Sequence, residues 1–530
     1  MKLKKLPFVF ALIVSWTIAS FQLHAQTADA SRRNSNGQFN VRDFGAVGDG
    51  KTLDHEAINR AIDAAAASGG GTVNVPAGTY LCGSIHLKSH IQLHLDAGSR
   101  ILGAPQGMKA YDPAEPFTGH GYQDGGHTHF HNSLIWGEDL VDISITGQGM
   151  IDGGGLLQNA DLLDVLYNHQ EKAGKYVASP DLKPSVDELR LGNKSISLKR
   201  CRRVLLRDIT IFHGGHFAIL VTGCDGMTID NVTIDTNRDG MDLDCCKNVV
   251  VSNCHVNSPQ DDGICPKSTF VLGSNVITEN LTIVNCQVSG FQEGTFLDGT
   301  MKPSKSRTGR IKFGTEANGG FRNCTVANCT FRCCRGIALE EVDGGILENI
   351  TINNITMMDN YQYAIYITTG SRNRGPAVTK PSVLRNILIS NVIATEVDPA
   401  CGIEITGIPE QPIEGVRLEN IRMRFQGGGT IQNAKRKFPE LGTQYPEASH
   451  LGISPAYGLF ARHVRGLELL NVDFALEKDD LRPAIQTEDV KGLLLDNCKA
   501  PKVEGAELTS FDDPAGVEVR NCKDFDAAAK

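Results

Sequence analysis

The sequence lacks an excess of basic residues, and this absence excludes several classes of partner. It has 52 Lys and Arg against 61 Asp and Glu, a formal net charge of −9 over 530 residues. A chain with a negative net charge has no general attraction to nucleic acid or to an anionic membrane. Any polyanion that it binds must therefore be met by cations placed at one site. With 41% hydrophobic and 21% charged residues, the chain is too apolar to be disordered.

Long hydrophobic runs are missing after the N-terminus. Three lysines precede an apolar run, residues 6–18, which ends shortly before a small-residue cleavage site at Ala25. The run is shorter than the ~20 residues of a spanning helix, so a secretory signal peptide is favoured over a membrane anchor. We expect residues 1–25 to be this signal peptide, residues 26–530 to form one catalytic domain, and the protein to be secreted or periplasmic, with no membrane span.

The cysteines do not indicate a framework of disulfide bonds. Their number, 15, is odd, and many of them recur at matching places in the repeats described next. Export would permit disulfides, but this placement predicts mostly buried thiols stacked on one another.

Short β-rich segments with an Asn near their centre recur along most of the chain. The most closely spaced segments are little more than twenty residues apart. Within each segment, β-branched residues alternate with small polar ones, as in strands with one buried face. The recurring position is occupied by Asp208, Asn231, Asn253, Asn285, Asn328, Asn354, Asn391, Asn420, Asn471, Asn497 and Asn521. Such a period is typical of a solenoid, and parallel crossovers are right-handed. We therefore predict an all-β fold, a right-handed parallel β-helix in which the Asn side chains stack.

One amphipathic helix precedes the repeats. Ile58, Ala61, Ile62 and Ala65 follow helical spacing, and three glycines from Gly69 onward end the helix. Because the end of a solenoid exposes strand edges, this helix is expected to cap it. Three long segments, at 105–138, 156–195 and 426–457, interrupt the period and are expected to shape a groove.

An acidic cluster is the main candidate for chemistry. Asp239 lies in Asn-Arg-Asp-Gly-Met-Asp, and Asp261 and Asp262 lie in Gln-Asp-Asp-Gly one short coil later. Adjacent parallel strands are about 4.8 Å apart, so the three carboxylates should converge. Crowded carboxylates have separated pKa values, which supplies an acid and a base from one residue type. A solvated acidic turn or a calcium site is the alternative interpretation.

These motifs resemble those of glycoside hydrolase family 28, the polygalacturonases and related pectin-degrading enzymes, within the pectin-lyase-like β-helix superfamily. The family has an Asn-Thr-Asp motif, which here carries Arg238 in place of Thr, and an Asp-Asp motif one coil later, which matches outright. The resemblance runs from about residue 39 to the end. It implies an inverting hydrolase with Asp261 as general acid and with Asp239 and Asp262 holding and deprotonating the water.

The family's remaining two motifs match less well. A Gly-His-Gly sequence is centred on His120, far before the aspartates, and is interpreted as coincidence. Arg310-Ile311-Lys312 matches the family's basic motif literally, but in a second register Glu340 stands where the family has Lys. If Glu340 and Glu341 line the site, they would repel galacturonate and favour a neutral neighbour such as rhamnose.

The resemblance implies that cations hold the carboxylate of the substrate. Arg310, Lys312 and Lys267 are the expected groups, and His216 is expected to contact the sugar. The alternating histidines of 127–131 have a metal-ligand spacing, but a groove-lining loop is the preferred interpretation.

We predict a monomeric hydrolase that acts on pectic polysaccharide or oligogalacturonide and needs no cofactor and no metal. Three alternatives stay open: a rhamnogalacturonan-active hydrolase of the same family, a calcium-dependent lyase of the same fold, and a non-catalytic pectin-binding β-helix. A chain of this composition gives no reason to expect nucleic acid as a partner.

Overall fold

The computed structural model describes residues 37–115, 125–158, 190–375, 380–523 and 525, together with the backbone of 169–172 and 175–178. The predicted signal peptide, residues 1–25, and the Gly-His-Gly sequence at 119–121 lie outside the described residues. Across the described ranges, no helix is both long and apolar enough to cross a membrane.

In the described part of the chain, parallel strands stack into one sheet of 35 strands that winds through three faces, here named ladders A, B and C. Ladder A consists of β1 (Gln38–Asn40), β3 (Gly71–Val75), β6 (Ile91–Leu95), β9 (Val141–Thr146), β14 (Arg202–Arg207), β17 (Asp225–Asp230), β20 (Lys247–Ser252), β23 (Thr278–Val284), β26 (Gly320–Ala327), β29 (Ile346–Met358), β31 (Val383–Val397), β33 (Ile413–Phe425), β34 (Leu459–Leu476), β35 (Ile485–Asp496) and β37 (Val517–Arg520). Ladder B consists of β2 (Asp49–Leu53), β4 (Gly78–Cys82), β7 (Ser99–Gly103), β10 (Met150–Asp152), β15 (Thr210–Phe212), β18 (Thr233–Asp235), β21 (His255–Asn257), β24 (Gln287–Ser289) and β27 (Thr330–Arg332), and it continues through the second halves of β29, β31, β33 and β34.

Ladder C carries the acidic cluster. It consists of β5 (Ile85–His86), β8 (Ile135–Glu138), β13 (Lys194–Lys199), β16 (Phe217–Thr222), β19 (Asp239–Asp244), β22 (Ile264–Lys267), β25 (Ile311–Phe313), β28 (Ile337–Glu341), β30 (Ile365–Thr369) and β32 (Ile403–Thr406), continues through the first residues of β34 and β35, and ends at β36 (Thr509–Phe511). A separate antiparallel hairpin joins β11 (His169–Lys172) to β12 (Lys175–Ala178). The prediction of an all-β parallel β-helix is confirmed.

The described residues include four α-helices outside the ladders. They are α1 (His55–Ala67), α2 (Gly125–Thr128), α3 (Ile431–Ala434) and α4 (Ala448–Leu451), and 3₁₀ turns occupy Val41–Phe44, Gln106–Met108 and Pro514–Gly516. The predicted apolar face of α1 is buried against the first coils, which confirms its position at the N-terminal end of the solenoid.

Side-chain ladders run along the coils as the repeat predicts. Asn328 donates to Asn285 at 3.2 Å, and Asn354 donates to Asn328 at 3.0 Å. Their backbone is left-handed, a conformation that Asn tolerates better than most residues. All 15 cysteines lie among the described residues and are buried, and none of them is paired in a disulfide bond, which confirms the expectation of buried thiols.

Candidate active site

The strand register of ladder C brings the predicted aspartates together. Met241 of β19 pairs with Ile264 of β22, so Asp239 and the Asp-Asp pair occupy neighbouring coils. The backbone N–H of Gly240 donates to the carbonyl of Asp262 at 2.9 Å. A Cβ at Gly240 would lie 2.4 Å from the carbonyl oxygen of Gly263, so this close approach of two coils requires glycine.

The three carboxylates form one cluster. Each of Asp239, Asp261 and Asp262 offers an oxygen within 4.8 Å of the others. Asp239 and Asp262 are buried, whereas the side chain of Asp261 is 27% exposed. This spacing is shorter than the roughly 6.5–9.5 Å usual for inverting glycosidases. Inversion therefore remains what the family resemblance implies, and the spacing does not support it independently.

Asp262 is surrounded by cations. Arg310 Nε donates to its Oδ1 at 2.5 Å, and Lys312 Nζ lies 3.0 Å from its Oδ2. Burial alone would raise the pKa of Asp262, but the two cations outweigh burial and hold this pKa well below its usual value. Asp262 is thus a carboxylate throughout the neutral and mildly acidic range.

Asp239 has the opposite environment. Burial, followed by the charges of Asp261 and Asp242, raises the pKa of Asp239 well above its usual value. The nearest cation, Arg238, lies 3.8 Å from Asp239 and donates instead to Asp261 Oδ2 at 2.7 Å. Two carboxyls on adjacent coils therefore differ in their affinity for a proton, as an acid and base pair requires.

Arg310 lies behind Asp262 and does not line the pocket, contrary to its predicted role as a grip on the substrate. Besides Asp262, its guanidinium contacts Tyr363 Oη at 2.5 Å and Glu447 Oε2 at 3.0 Å. Arg335 donates to the same Glu447 oxygen at 2.9 Å. Arg310 is buried and surrounded by protein groups, so its geometry suits positioning of Asp262.

The other predicted binding residues do reach the pocket. This pocket, of about 130 Å³, is lined by His127, His216, Phe217, Arg238, Asp239, Asp261, Asp262, Lys267, Lys312, Thr315, Glu316, Arg374 and Tyr445. Lys267 Nζ donates to Glu316 Oε2 at 2.9 Å, and Lys312 Nζ donates to Tyr445 Oη at 3.3 Å. Both ammonium groups are nevertheless largely buried.

The histidines of 127–131 do not form a metal site. His127 lies in α2 rather than in a strand, and its Nε2 contacts Asp242 Oδ2 at 2.9 Å. His131 contacts Glu138 at 2.8 Å and stacks on Trp136. The preferred interpretation of a groove-lining segment fits His127, which lines the pocket.

Glu340 and Glu341 do not line the pocket. Both side chains are fully buried, and both carboxylate oxygens of Glu340 are without a hydrogen-bond partner. Burial raises the pKa of Glu340 to about 7, although Lys312, 4.0 Å away, acts against this rise. The expected repulsion of galacturonate, and with it this argument for rhamnose, is therefore not supported.

The outer face of ladder C is covered on both sides of the pocket. On the preceding coils, Phe130 packs with Phe217 and Leu220. On the following coils, the segment 426–457 packs its apolar residues on the outward side chains of β28, β30 and β34 in one buried cluster: Ala338, Val342, Tyr363, Tyr366, Cys401, Phe438, Leu441, Ala448, Leu451, Ala456 and Phe460. Tyr445, within this same segment, is 39% exposed and lines the pocket.

Several site residues were missed by sequence reasoning. Glu316, Tyr445 and Glu447 lie in sequence stretches that resemble the family, yet neither spacing nor composition singles them out. His127 was identified for its spacing, but its contact with Asp242 follows only from folding of the segment before β8 onto β19.

Comparison with known proteins finds similar family models and similar relatives. Residues 38–292 match the family model described as rhamnogalacturonase A/epimerase, pectate lyase-like, and residues 196–407 match the right-handed β-helix region. The chain is 25% identical over 398 residues to a probable polygalacturonase of Vitis vinifera, which covers 72% of this chain and 73% of the relative. It is 28% identical over 252 residues to an exo-poly-α-D-galacturonosidase of Dickeya chrysanthemi, covering 42% of this chain and 40% of the relative.

A solved structure shares the fold. The hyperthermoactive exopolygalacturonase of Thermotoga maritima superposes with a TM-score of 0.59 at 20% identity, covering 83% of this chain and 91% of that one. The chain is therefore similar in sequence to polygalacturonases and shares the right-handed, pectate lyase-like β-helix fold.

Proposed function

We propose that this protein hydrolyses α-galacturonosyl linkages in pectin. The observation that carries the proposal is the convergence of Asp239, Asp261 and Asp262 in one pocket, with the pKa of Asp239 raised and that of Asp262 lowered. The relatives named polygalacturonase support the same substrate class.

In the proposed mechanism, Asp262 is the carboxylate that accepts a proton from the attacking water. Asp261, the most exposed of the three, protonates the glycosidic oxygen, as the family resemblance implies. Asp239 holds the water together with Asp262. The raised pKa of Asp239 favours a second assignment, in which Asp239 is the proton donor.

The two assignments differ for a substrate that needs no acid. In a dinitrophenyl galacturonoside, the dinitrophenolate leaves without being protonated. Loss of the true general acid should therefore affect the cleavage of this substrate little. We expect Asp261→Asn to keep most activity on this substrate while losing at least about a hundredfold on pectin. The reverse pattern, with Asp239→Asn active on the aryl substrate, would assign the acid to Asp239.

The substrate carboxylate is proposed to contact Lys312 and Lys267. Both line the pocket, together with Arg238 and Arg374. Each ammonium already has an acidic partner, Asp262 or Glu316, so a uronate would join an existing ion network rather than neutralise a lone charge. His216 lines the same pocket and is proposed to contact sugar hydroxyls.

Attack from a chain end is proposed because the pocket is covered on both sides along the solenoid. The segment around Phe130 covers one side, and the segment 426–457 covers the other. A long polymer cannot lie through a site that is closed in both directions, whereas a terminal sugar can enter it.

The product profile on homogalacturonan and on rhamnogalacturonan tests substrate and mode together. We expect mono- or digalacturonate from homogalacturonan at the earliest times, with little loss of viscosity. Proton NMR of the first product should show the inverted anomer. Oligomers of mixed length would refute attack from the end, and cleavage of rhamnogalacturonan alone would support the alternative that the matching family model suggests.

The same assay distinguishes the proposed hydrolase from a calcium-dependent lyase. In the described part of the chain, the three aspartates are the group that could hold a cation, but Arg310 and Lys312 already compensate Asp262. We expect full activity in EDTA and no unsaturated product absorbing near 235 nm, about the wavelength of a conjugated uronate.

We also propose that the protein is exported after removal of residues 1–25 and that it is monomeric. N-terminal sequencing of the exported protein tests the first proposal, and light scattering tests the second.

A further inference from the structure

A second pocket lies on ladder B, beside the turn that leads to the aspartates. It encloses about 740 Å³, compared with about 130 Å³ around the aspartates, and is within the usual range of ligand sites. His213 lines this pocket, and His216, three residues later on the same turn, lines the aspartate pocket. The two pockets therefore share one turn, between β15 and β16.

A buried carboxylate fixes two cationic groups in the second pocket. Asp152 accepts from His213 Nδ1 at 2.9 Å, from the backbone N–H of Gly154 at 2.9 Å, and from Arg100 Nη2. Burial alone would raise the pKa of Asp152, but the contacts with His213 and Arg100 outweigh it and lower this pKa. Asp152 thus stays charged and orients both partners, while Arg100 remains 44% exposed.

The charge of this pocket is positive. Arg100 and the exposed Lys51 line it together with His213, and among the described residues of its lining Asp152 is the acidic one. Burial acts against protonation of His213, but Asp152 outweighs burial and raises the pKa of His213. Glu293, the other acidic group that acts on His213, does not line the pocket. On a chain with a net charge of −9, this local excess of cations suits an anionic ligand.

The remaining wall is apolar and fixed in position. Leu81, Leu102 and Met108 line it, and such surfaces pack against the C–H faces of sugars. The Gln106 side chain donates to Gly155 O at 2.6 Å and to Gly192 O at 2.9 Å, and it accepts from Gly192 N at 3.0 Å. These bonds hold the 3₁₀ turn, so the pocket is preformed.

We propose that the pocket defined by Lys51, Arg100 and His213 is a second carbohydrate site, which binds a uronate-containing oligosaccharide apart from the linkage that is cleaved. The preference for galacturonate rests on the proposed function, whereas the preference for an acidic sugar over a neutral one rests on the charges of the pocket.

Calorimetric titration with trigalacturonate tests this proposal. The Asp261→Asn protein, which should leave the trimer uncleaved, is expected to bind two trimers. Adding Arg100→Met should remove one binding event or weaken it at least about tenfold, because a charge-assisted hydrogen bond is lost. Lys51→Met should weaken the same event. The matched control is Arg385→Met, since Arg385 is 50% exposed and pairs with Glu348 at 2.7 Å. This control variant should still bind two trimers.

Three outcomes would overturn the second site. They are a single binding event that Arg100→Met and Lys51→Met leave unchanged, two events that neither variant alters, and equally tight binding of neutral maltotriose to the second pocket. Failure of the proposed function gives a different result: one event that Arg100→Met abolishes and Lys312→Met does not affect. Thermal unfolding of each variant shows whether it is folded, and the exposed Lys51 keeps the test decisive should Arg100→Met fail to fold.

Discussion

At the scale of single residues, the environments of three similar carboxyls separate their chemistry. Asp262 is held ionised by Arg310 and Lys312, whereas burial and neighbouring acids keep a proton on Asp239 over a wider pH range. The residue type is the same, so the difference arises entirely from what folding places beside each group.

Replacing Asp262 tests this separation. Asp262→Asn should reduce kcat by about 10²–10⁴-fold, because the general base is lost and two buried cations are left without their carboxylate. Rates of reducing-end release measure the effect. Asp479→Asn, at an exposed carboxyl outside the site, serves as control, and near-normal turnover by Asp262→Asn would contradict the proposed mechanism.

Glu447 is expected to position Arg310. Its carboxylate bridges Arg310 and Arg335, at 3.0 and 2.9 Å. Arg310 thus contacts two carboxylates, those of Glu447 and Asp262, and Glu447→Gln removes the first of these two negative charges. We expect kcat to fall at least about tenfold with a smaller change in KM, because Arg310, no longer shared with Glu447, holds Asp262 more strongly and weakens it as a base. The exposed Glu410→Gln should change neither constant, and a normal kcat in a folded Glu447→Gln protein would contradict this positioning role.

At the scale of elements, the asparagine ladder links successive coils of ladder A. From Asn285 to Asn471, each Asn of this ladder combines a left-handed backbone with an amide that donates to the coil before it and accepts from the coil after it. The same residue type thus satisfies the turn geometry and the hydrogen bonds, which explains why Asn recurs at this place in the repeat.

Asn354 allows these two contributions to be separated. Asn354→Ala should reduce the free energy of unfolding by about 1–3 kcal/mol, through lost hydrogen bonds and left-handed strain. Asn354→Gly keeps the left-handed backbone at low cost, so it should lose less. Asn353→Ala, next to it in the same strand, is the matched control. Denaturant unfolding measures all three, and equal losses in Ala and Gly variants would show that backbone strain contributes little.

At the scale of the whole molecule, buried acids make stability depend on pH. Burial raises the pKa of Glu340 to about 7 and that of Glu404 to about 8, from an ordinary value of 4.5. Between these values the folded protein keeps protons that the unfolded chain has lost. Their contribution is therefore complete below pH 4.5 and is lost as pH rises through about 7 and 8.

The double variant Glu340→Gln/Glu404→Gln should remove much of this dependence. For Glu340 alone the contribution is on the order of 3 kcal/mol, so we expect the wild-type protein to be clearly less stable at pH 8.5 than at pH 5, and the double variant to differ much less. Thermal midpoints across the pH range measure this, with Glu414→Gln/Glu477→Gln at exposed positions as control. Parallel curves for wild type and double variant would contradict the raised pKa values.

Periodicity was enough to predict the solenoid, its Asn and Cys stacking, the N-terminal helix and the convergence of three aspartates. These features depend on local repetition, because one coil of known length places residues 22 apart side by side. The role of Arg310 and the surroundings of Glu340 could not be predicted in this way, since both depend on Glu447 and its neighbours, more than a hundred residues away.

The sequence by itself determined which residues share a coil position, and therefore that Asp239, Asp261 and Asp262 meet. Only the tertiary structure decided which of them are buried, which cations lie beside each, and which faces of ladder C are covered. The physical reason is that repeat spacing fixes neighbours along the solenoid, whereas burial and charge at the site depend on how α2 and the segment 426–457 pack across it.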